Sequence, residues 1–587
     1  VIASKLAEGM RANAHISKTF DILQDGSSIL VRAKADGYNF SVKARDSLGN
    51  TAIKALKDKT QDISDLPAIG FEGFTIAIVG GGSEDEKYYV VYDNGEDSKE
   101  GGAWLETKPA GLNTRLVKTT MPHQLIAEAD GSFTFCAADW SSREVGDEES
   151  NPDPSFVNQT INDVFFYRNR LGLLSGENML FSKDGDYWNF YLTTVRTTLD
   201  SDTIDIGSTS DRVSVLRHAV TFNEQLIVFS DSVQFAPNSG AEGLLSPATI
   251  TMDIITRLEA QLRAKPVGAG QTLFFGTRLG NYSGMREYFI APEIEITSAA
   301  DISGHIPTYI KGDIIELTAS SSHDILVART DDIKTNLYVY AYFWENTEKM
   351  QSSWSRWVFS GDVLTSSFID AKLYLVVRRP EGLMLESIDM SRFNTPLSNG
   401  WQTDILLDRR TKVLTGQPFP EHLQGEPEAS LVAIEKNGRA FKADAIKAKL
   451  YDAEGIAVSD HYIGLSYSFE FTFSEQVIKD NESVPANIID RVQIQRMAVS
   501  YTDSGFFEAM VSTPFDDLRI YPFTGRIMGS INNMLNRESL ESGVQTFPVN
   551  SRSDLVTIKL QSDSHLPCSF QTAEWSGVTR SKAQRVF

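Results

Sequence analysis

The chain has 587 residues, 41% hydrophobic and 10% aromatic, too many for one hydrophobic core and globular in character, so roughly two to four domains are expected. Its formal net charge of −23 argues against a basic nucleic-acid-binding face as the main feature. Two cysteines, Cys136 and Cys568, exclude a disulfide framework or a four-cysteine zinc site, and no apolar run is long enough to predict a transmembrane helix.

The first residues, Val1-Ile2-Ala3-Ser4-Lys5-Leu6, lack an initiator Met and a signal-peptide apolar core, so the numbered chain is expected to begin inside a longer gene product. Residues 1–60 are mixed and charged, with a short helix expected over Ser4–Ala14. Asp65-Leu66-Pro67 opens a β stretch that runs to Thr107. Within it, Tyr88-Tyr89-Val90-Val91-Tyr92 leads into the turn residues Asp93-Asn94-Gly95. Gly80, Gly81 and Gly82 follow a strand, but no Lys-Ser or Lys-Thr follows them. They open a hairpin ahead of Glu84-Asp85-Glu86 and are not a phosphate loop.

Beyond Asp147–Pro152 a repeat begins. Similar apolar strands, each entered by a polar turn, are predicted at Leu171–Ser175, Leu226–Ser230, Leu273–Thr277, Ile325–Thr330 and Leu373–Arg379. Their starts fall about 50 residues apart, the period of some propeller blades. Flanking strands at Asp163–Tyr167, Arg286–Ile290 and Leu337–Trp344 give each unit room for about four strands, the content of a blade. The clearest helical spacing lies in Ile254–Leu262, closed by Pro266. Asp404–Lys449 is polar and carries the loop Gly416-Gln417-Pro418-Phe419-Pro420-Glu421, which marks a boundary or an insertion. From Ile463 a second β-rich region runs to the C-terminus. Asp480-Asn481 separates Phe469–Ile478 from a strand at Val492–Ala498, and a further short helix is expected over Asn532–Ser542.

No catalytic constellation emerges. The eight histidines are scattered without the i, i+4 spacing of a helical metal site, and neither a Gly-x-Ser-x-Gly elbow nor a Cys-x-x-Cys is present. Asp184 with Asp186, or Asp331 with Asp332, could in principle serve glycoside hydrolysis, but 78 acidic residues make chance pairs inevitable. Ser182–Trp188 resembles the Asp box of sialidase-type propellers with altered spacing, a device that stabilises a turn. The aromatics Tyr338, Tyr340, Tyr342, Phe343, Trp344, Trp354 and Trp357 could stack bases, yet Tyr338–Tyr342 alternates at strand period and so predicts a packed sheet face. No enzyme activity, cofactor or metal is expected.

Several segments together resemble the tail tubular protein B, or nozzle, family of short-tailed phages that carry their own RNA polymerase. They are Tyr467–Gln476, Arg496–Gly505, Phe523–Arg526 and Ser564–Trp575 in the C-terminal third, with Met350–Trp357 and Asn169-Arg170-Leu171-Gly172 upstream. The resemblance implies a mainly β protein with a propeller-like domain of about five blades, β-rich platform and tip domains, and few helices. On that scheme residues 1–60 belong to tip or platform, 61–150 to a platform region, and 151–395 to the propeller-like repeats. Residues 396–460 are the polar insertion and a possible nozzle tip, and 461–587 a C-terminal platform region.

It further implies a virion tail protein assembled in the host cytoplasm as a homohexameric ring. The expected partners are the adaptor ring (tail tubular protein A), tail fibres at the adaptor junction, and internal virion proteins and double-stranded DNA that pass through without tight binding. The channel is closed before infection and opens on adsorption. Candidate gate loops are Gly80–Glu86, with Gly80, Gly81 and Gly82, and Gly416–Gly425, with Gly416, Pro418 and Pro420. The rival reading is a carbohydrate-active or receptor-binding propeller acting at the host surface.

Overall fold

The computed structural model describes residues 1–35, 39–48, 52–80, 87–95, 102–112, 114–222, 224–239, 243–290, 297–345, 348–390, 404–478, 491–529, 531 and 538–580. The chain divides into two compact units, residues 1–365 and 366–587. Both are mainly β, and helices are few.

The first unit opens with α1 (Ile2–Ala12) and α2 (Ala14–Thr19), in place of the single helix expected over Ser4–Ala14. Asn13 breaks the run and caps α2, its side chain accepting hydrogen bonds from the His15 and Ile16 amides at 3.0 and 3.3 Å. The helices pack on the hairpin β1 (Phe20–Asp25) and β2 (Ser28–Ala33). A four-stranded sheet follows, ordered β3 (Lys59–Thr60), β4 (Thr75–Ile78), β5 (Tyr88–Asp93), β6 (Ala103–Thr107), with β3 parallel to β4. A separate two-stranded hairpin comes next, β7 (His123–Ala127) with β8 (Phe133–Ala137).

Four consecutive antiparallel meanders of four strands each occupy the rest of this unit. The first is β9 (Ile161–Tyr167), β10 (Arg170–Ser175), β11 (Asn178–Phe181) and β12 (Ile204–Gly207). The second is β13 (Leu216–Phe222), β14 (Gln225–Ser230), β15 (Gln234–Asn238) and β16 (Thr251–Thr256). The third is β17 (Val267–Ala269), β18 (Thr272–Leu279), β19 (Tyr282–Ile290) and β20 (Thr297–Asp301). The fourth is β21 (Ile314–Ser320), β22 (Ile325–Thr330), β23 (Asn336–Glu345) and β24 (Glu348–Val358). A three-stranded sheet, β25 (Asp362–Ile369), β26 (Lys372–Arg379) and β27 (Gly382–Asp389), comes after them, and the division between units falls within β25. All five repeat strands read from the sequence are therefore strands, and each is the second of its sheet.

Those second strands are apolar on both faces because each sheet is packed on both sides. Leu174, Met179 and Phe181 of the first meander meet Leu226, Val228 and Phe235 of the second. Ile227 and Phe229, one residue out of step on β14, point the other way and meet Leu273, Phe275 and Tyr288 of the third. Phe274 and Met285 then face Leu326, Ala328, Tyr338 and Tyr340 of the fourth. Leu173 and Leu180, on the free face of the first meander, pack on Trp140, Phe156 and Phe190. Each fully buried side chain of this size is worth about 1.5–3 kcal/mol, so the stacking of neighbours supplies the core that one meander lacks. Among the described residues no sheet closes on itself.

The helix expected at Ile254–Leu262 is absent. Ile254 and Ile255 lie in β16, and the next amides bond to neighbouring sheet segments instead of to carbonyls four residues back: Leu258 to the Gln234 side chain (3.2 Å), Ala260 to Asp231 (3.0 Å) and Gln261 to Gly276 (2.8 Å). Its helix-like apolar spacing arises because Ile254 faces one inter-meander core while Ile255, Leu258, Ala260 and Leu262 face the next.

In the second unit, β28 (Asp408–Val413), β29 (Leu431–Glu435), β30 (Ala440–Lys442) and β31 (His461–Leu465) form a sheet ordered β28-β31-β29-β30. With α3 (Asp444–Leu450) it encloses Val413, Leu423, Ala433, Ile446, Leu450 and Ile463. The polar stretch read from the sequence thus carries its own core. The C-terminal part has β32 (Phe469–Thr472), β33 (Arg491–Ser504), β34 (Phe507–Thr513), β35 (Asp516–Phe523), β36 (Glu541–Arg552), β37 (Thr557–Ser562) and β38 (Ser569–Arg580). These make two sheets, β32-β37-β34-β35 and β36-β33-β38, sharing a core of Ile494, Met497, Val511, Phe547 and Leu560. Phe473–Ile478, expected to continue β32, is not strand, and Asp480-Asn481 lies outside the described residues. Of the helix expected at Asn532–Ser542, residues 532–537 are outside the described residues, while Glu541 and Ser542 open β36.

Candidate functional site

One segment that carries the family resemblance, Asn169–Gly172, is a structural joint. Asn169 adopts a left-handed backbone (φ 60°); its amide donates to Asp184 at 3.0 Å and its carbonyl oxygen accepts from the Tyr187 hydroxyl at 2.9 Å. Arg170 is buried and donates to four main-chain carbonyls: Ser182 (2.8 Å), Asp202 (2.6 Å), Asp200 (2.7 Å) and Leu245 (3.3 Å). Burial pushes its pKa down, and nearby Asp184 and Asp202 oppose that shift. At Gly172 a Cβ would lie 2.2 Å from the Phe165 ring, so only glycine fits. Asp184 and Asp186 sit in the turn that Arg170 ties down; Asp186 bridges Lys183, and the Asp184 amide bonds to Ser201.

The remaining chemistry read from the sequence is also absorbed by packing. Asp331 pairs with Arg263 and Asp332 with Lys311. Tyr338, Tyr340 and Tyr342 are buried in the core between the third and fourth meanders, and Trp354 packs on Tyr340 with ring centroids 5.0 Å apart while donating to the Ile302 carbonyl at 3.0 Å. His461 bonds Tyr451 and the Ser459 carbonyl, and His218 the Leu262 carbonyl. Among the described residues, one open cleft is lined by Ser512–Pro514 and Asp554–Thr557. A second contains Glu426 and Glu428, already paired with Arg409 and Lys447. Among the described residues no group of three or more His, Cys, Asp or Glu is placed to hold a metal ion.

One joint was not legible. Glu287 on β19, 1% exposed, forms an ion pair with Lys349 on β24, which joins the third meander to the fourth. The Lys349 ammonium lies 4.8 Å from the Trp344 ring centroid and 3.2 Å from the Tyr340 hydroxyl. Residues 62 apart in sequence carry no local signal of this pairing. The β7–β8 hairpin, by contrast, lay within reach of sequence reasoning, since Asp130-Gly131 between two β-prone runs is a hairpin signal.

The candidate gate residues fall in different settings. Gly80 lies two residues beyond the end of β4, while Gly81 and Gly82 are outside the described residues. Gly416 has φ 90° and donates its amide to Ala457 at 2.9 Å. The Ala457 amide returns to Gln417 at 2.8 Å, and Pro418 bridges Ile456. Pro420 accepts from the Leu423 amide at 3.1 Å, and Phe419 packs on Tyr451, ring centroids 5.4 Å apart. The two loops belong to different units.

Comparison with known proteins follows the same lines. The bacteriophage nozzle protein family matches residues 1–586. Tail tubular protein gp12 of Escherichia phage T7 is 28% identical over 604 residues, covering 98% of this chain and 74% of that protein. Solved structures with weak likeness include Hsv2 of Kluyveromyces lactis (11% identity, 44% of this chain, 66% of that chain, TM-score 0.26). Another is PorZ of Porphyromonas gingivalis (12% identity, 68% and 46%, TM-score 0.24); likeness at this level bears on neither fold nor function. With the match spanning almost every residue, the chain belongs to the bacteriophage nozzle protein family, a structural component of the virion tail and not an enzyme.

Proposed function

We propose that this protein is the wall of a gated channel at the end of a short phage tail, six copies forming a ring. The observation that carries the reading is the family match over residues 1–586. The consecutive meanders support it, because sheets packed face to face in sequence order are how a propeller-like scaffold of about five blades is built. Such a scaffold over residues 151–395 would be carried by platform regions at 61–150 and 461–587, with the polar insertion at 396–460 as nozzle tip. The partners are an adaptor ring of tail tubular protein A, tail fibres at their junction, and internal proteins and double-stranded DNA in transit. Assembly takes place in the host cytoplasm.

A ring closes through heterologous contacts, two different surfaces of each copy meeting. The net charge of −23 suits a lumen that repels phosphates and leaves DNA no cationic wall to bind. As gates, Gly80–Glu86 and Gly416–Gly425 differ. The second is pinned to 455–457 by main-chain bonds and would swing as a unit with that segment instead of fraying alone. Deleting each loop and measuring the channel density of the unfired virion tests this: an unchanged closed channel in both deletions overturns the gate assignment. Electron microscopy of the purified protein and of the adaptor–nozzle complex tests the ring itself.

A further inference from the structure

β28 carries an irregularity that re-aims one side chain. Asp408 pairs with Leu465 and Thr411 with Ile463, so Arg409 and Arg410 together face the single residue Gly464, a β-bulge. A Cβ on Gly464 would lie 2.7 Å from the Asp408 carbonyl oxygen and 3.0 Å from Leu407 Cβ, so the bulge closes only over glycine. Arg409 itself takes a left-handed backbone (φ 54°), a conformation that strains a non-glycine residue and persists where the surroundings impose it. The two arginines then part. Arg410 donates to the Ile405 carbonyl at 2.7 Å and lies over the Tyr462 ring. Arg409, its side chain 2% exposed, donates to the Glu426 carboxylate, the His422 carbonyl and, at 3.0 Å, the Glu381 carboxylate.

These three acceptors belong to two separate pieces of chain. His422 lies in the candidate gate loop Gly416–Gly425 and Glu426 just beyond it; Thr411, also on β28, places its hydroxyl 2.9 Å from the His422 ring. The other end of that loop is the one pinned to 455–457. Glu381 sits in the turn between β26 and β27, a hairpin that Arg379 stiffens by gripping both oxygens of Glu386 at 2.6 and 2.9 Å. A planar guanidinium with five donors can hold all three acceptors at once, which the point charge of a lysine cannot.

We propose that Arg409 is a latch, a positioning residue that holds the Gly416–Gly425 loop in place and couples it to the β26–β27 turn, so that moving the turn releases the loop. This deepens the gate reading of that loop and rests on it. A fastener for the loop alone needs only Glu426 and the His422 carbonyl. The bond to Glu381 ties in a second sheet, and the bulge, the left-handed arginine and the obligatory glycine all serve to aim the side chain that makes it. Such coupling is reciprocal: whatever loosens the turn loosens the loop, and the reverse.

The test is hydrogen–deuterium exchange of the full chain for wild type, R409K, E381A and E426A. It is read at the Leu423 and Gln424 amides of the loop, which bond back to Pro420 and Glu421, at residues 379–383 of the turn, and at β33 as a reference. E381A is expected to speed exchange in the loop at least about fivefold, E426A to do the same in the turn, and R409K to speed both, with β33 unchanged. Loop exchange at the wild-type rate in E381A, while R409K speeds it, overturns the coupling and leaves Arg409 a local fastener. Wild-type rates everywhere in R409K overturn the latch. Glu381 and Glu426 are partly exposed, so E381A and E426A decide the coupling even where R409K raises exchange in β33 and so fails to fold. Coupled exchange alongside an unfired channel that deletion of Gly416–Gly425 leaves closed removes the gate and keeps the latch. Uncoupled exchange alongside a channel that the deletion opens does the reverse.

Discussion

Truncating Lys349 to Met strands the Glu287 carboxylate between the third and fourth meanders. Glu287 is 1% exposed, and one of its oxygens has no hydrogen-bond partner even in the intact pair. Lys349 is 18% exposed and held between the Trp344 and Tyr340 rings. A buried pair of this kind gains little net stability over a well-packed apolar replacement, because desolvation offsets attraction. Removing one partner leaves the other uncompensated and costs about 3–5 kcal/mol. Lys349→Met is therefore expected to cost about 4 kcal/mol, Glu287→Leu rather less because the lysine stem can turn toward solvent, and the double variant about 1 kcal/mol or less. Urea unfolding monitored by tryptophan fluorescence, with Trp344 and Trp354 beside the joint, gives the midpoints for a double-mutant cycle. Losses that simply add, or a single variant costing under about 1 kcal/mol, would refute the reasoning that this pair joins the two meanders.

Other joints give equally definite expectations. Arg170→Lys offers a point charge with three donors where a planar guanidinium reaches four carbonyls, and a loss of about 3 kcal/mol in the same unfolding assay is expected. Gly172→Ala drives a methyl into the Phe165 ring and is expected to cost about 1–3 kcal/mol, relieved in part by pairing it with Phe165→Leu. His565 is 7% exposed, and burial, helped by the charge of Lys442, pushes its pKa down to about 4. The unfolded chain takes up that proton near pH 6.5 and the folded chain only near 4. Stability from this group is thus full above pH 6.5 and falls by up to about 3 kcal/mol as pH drops to 4. His565→Gln should flatten that part of the pH profile; a profile identical to wild type would show that His565 does not titrate as described.

Much of the fold was legible because its signals are local. The five repeat strands announce themselves as short apolar runs, and burial on both faces explains why they read as continuous instead of alternating. The same double packing misled at Ile254–Leu262, where residues facing two successive cores imitate helical spacing. The polarity of Asp404–Lys449 hid a sheet whose core residues are dispersed among charged neighbours and gathered only by the return of β31 between β28 and β29. Motifs such as Asn169–Gly172 were recognisable as marks of a family before their purpose was. That purpose depends on carbonyls as far away as Leu245, beyond the reach of any reading along the chain. Glu287 and Lys349 stood out by nothing in their neighbourhoods, since burial decides their importance.

The central claim, that this chain forms the wall of a channel, is tested most directly by electron microscopy of the adaptor–nozzle complex. A six-fold ring around a pore, its subunits showing the consecutive meanders, is the predicted result; a complex whose nozzle copies surround no axial opening, or fail to associate with one another, would contradict it.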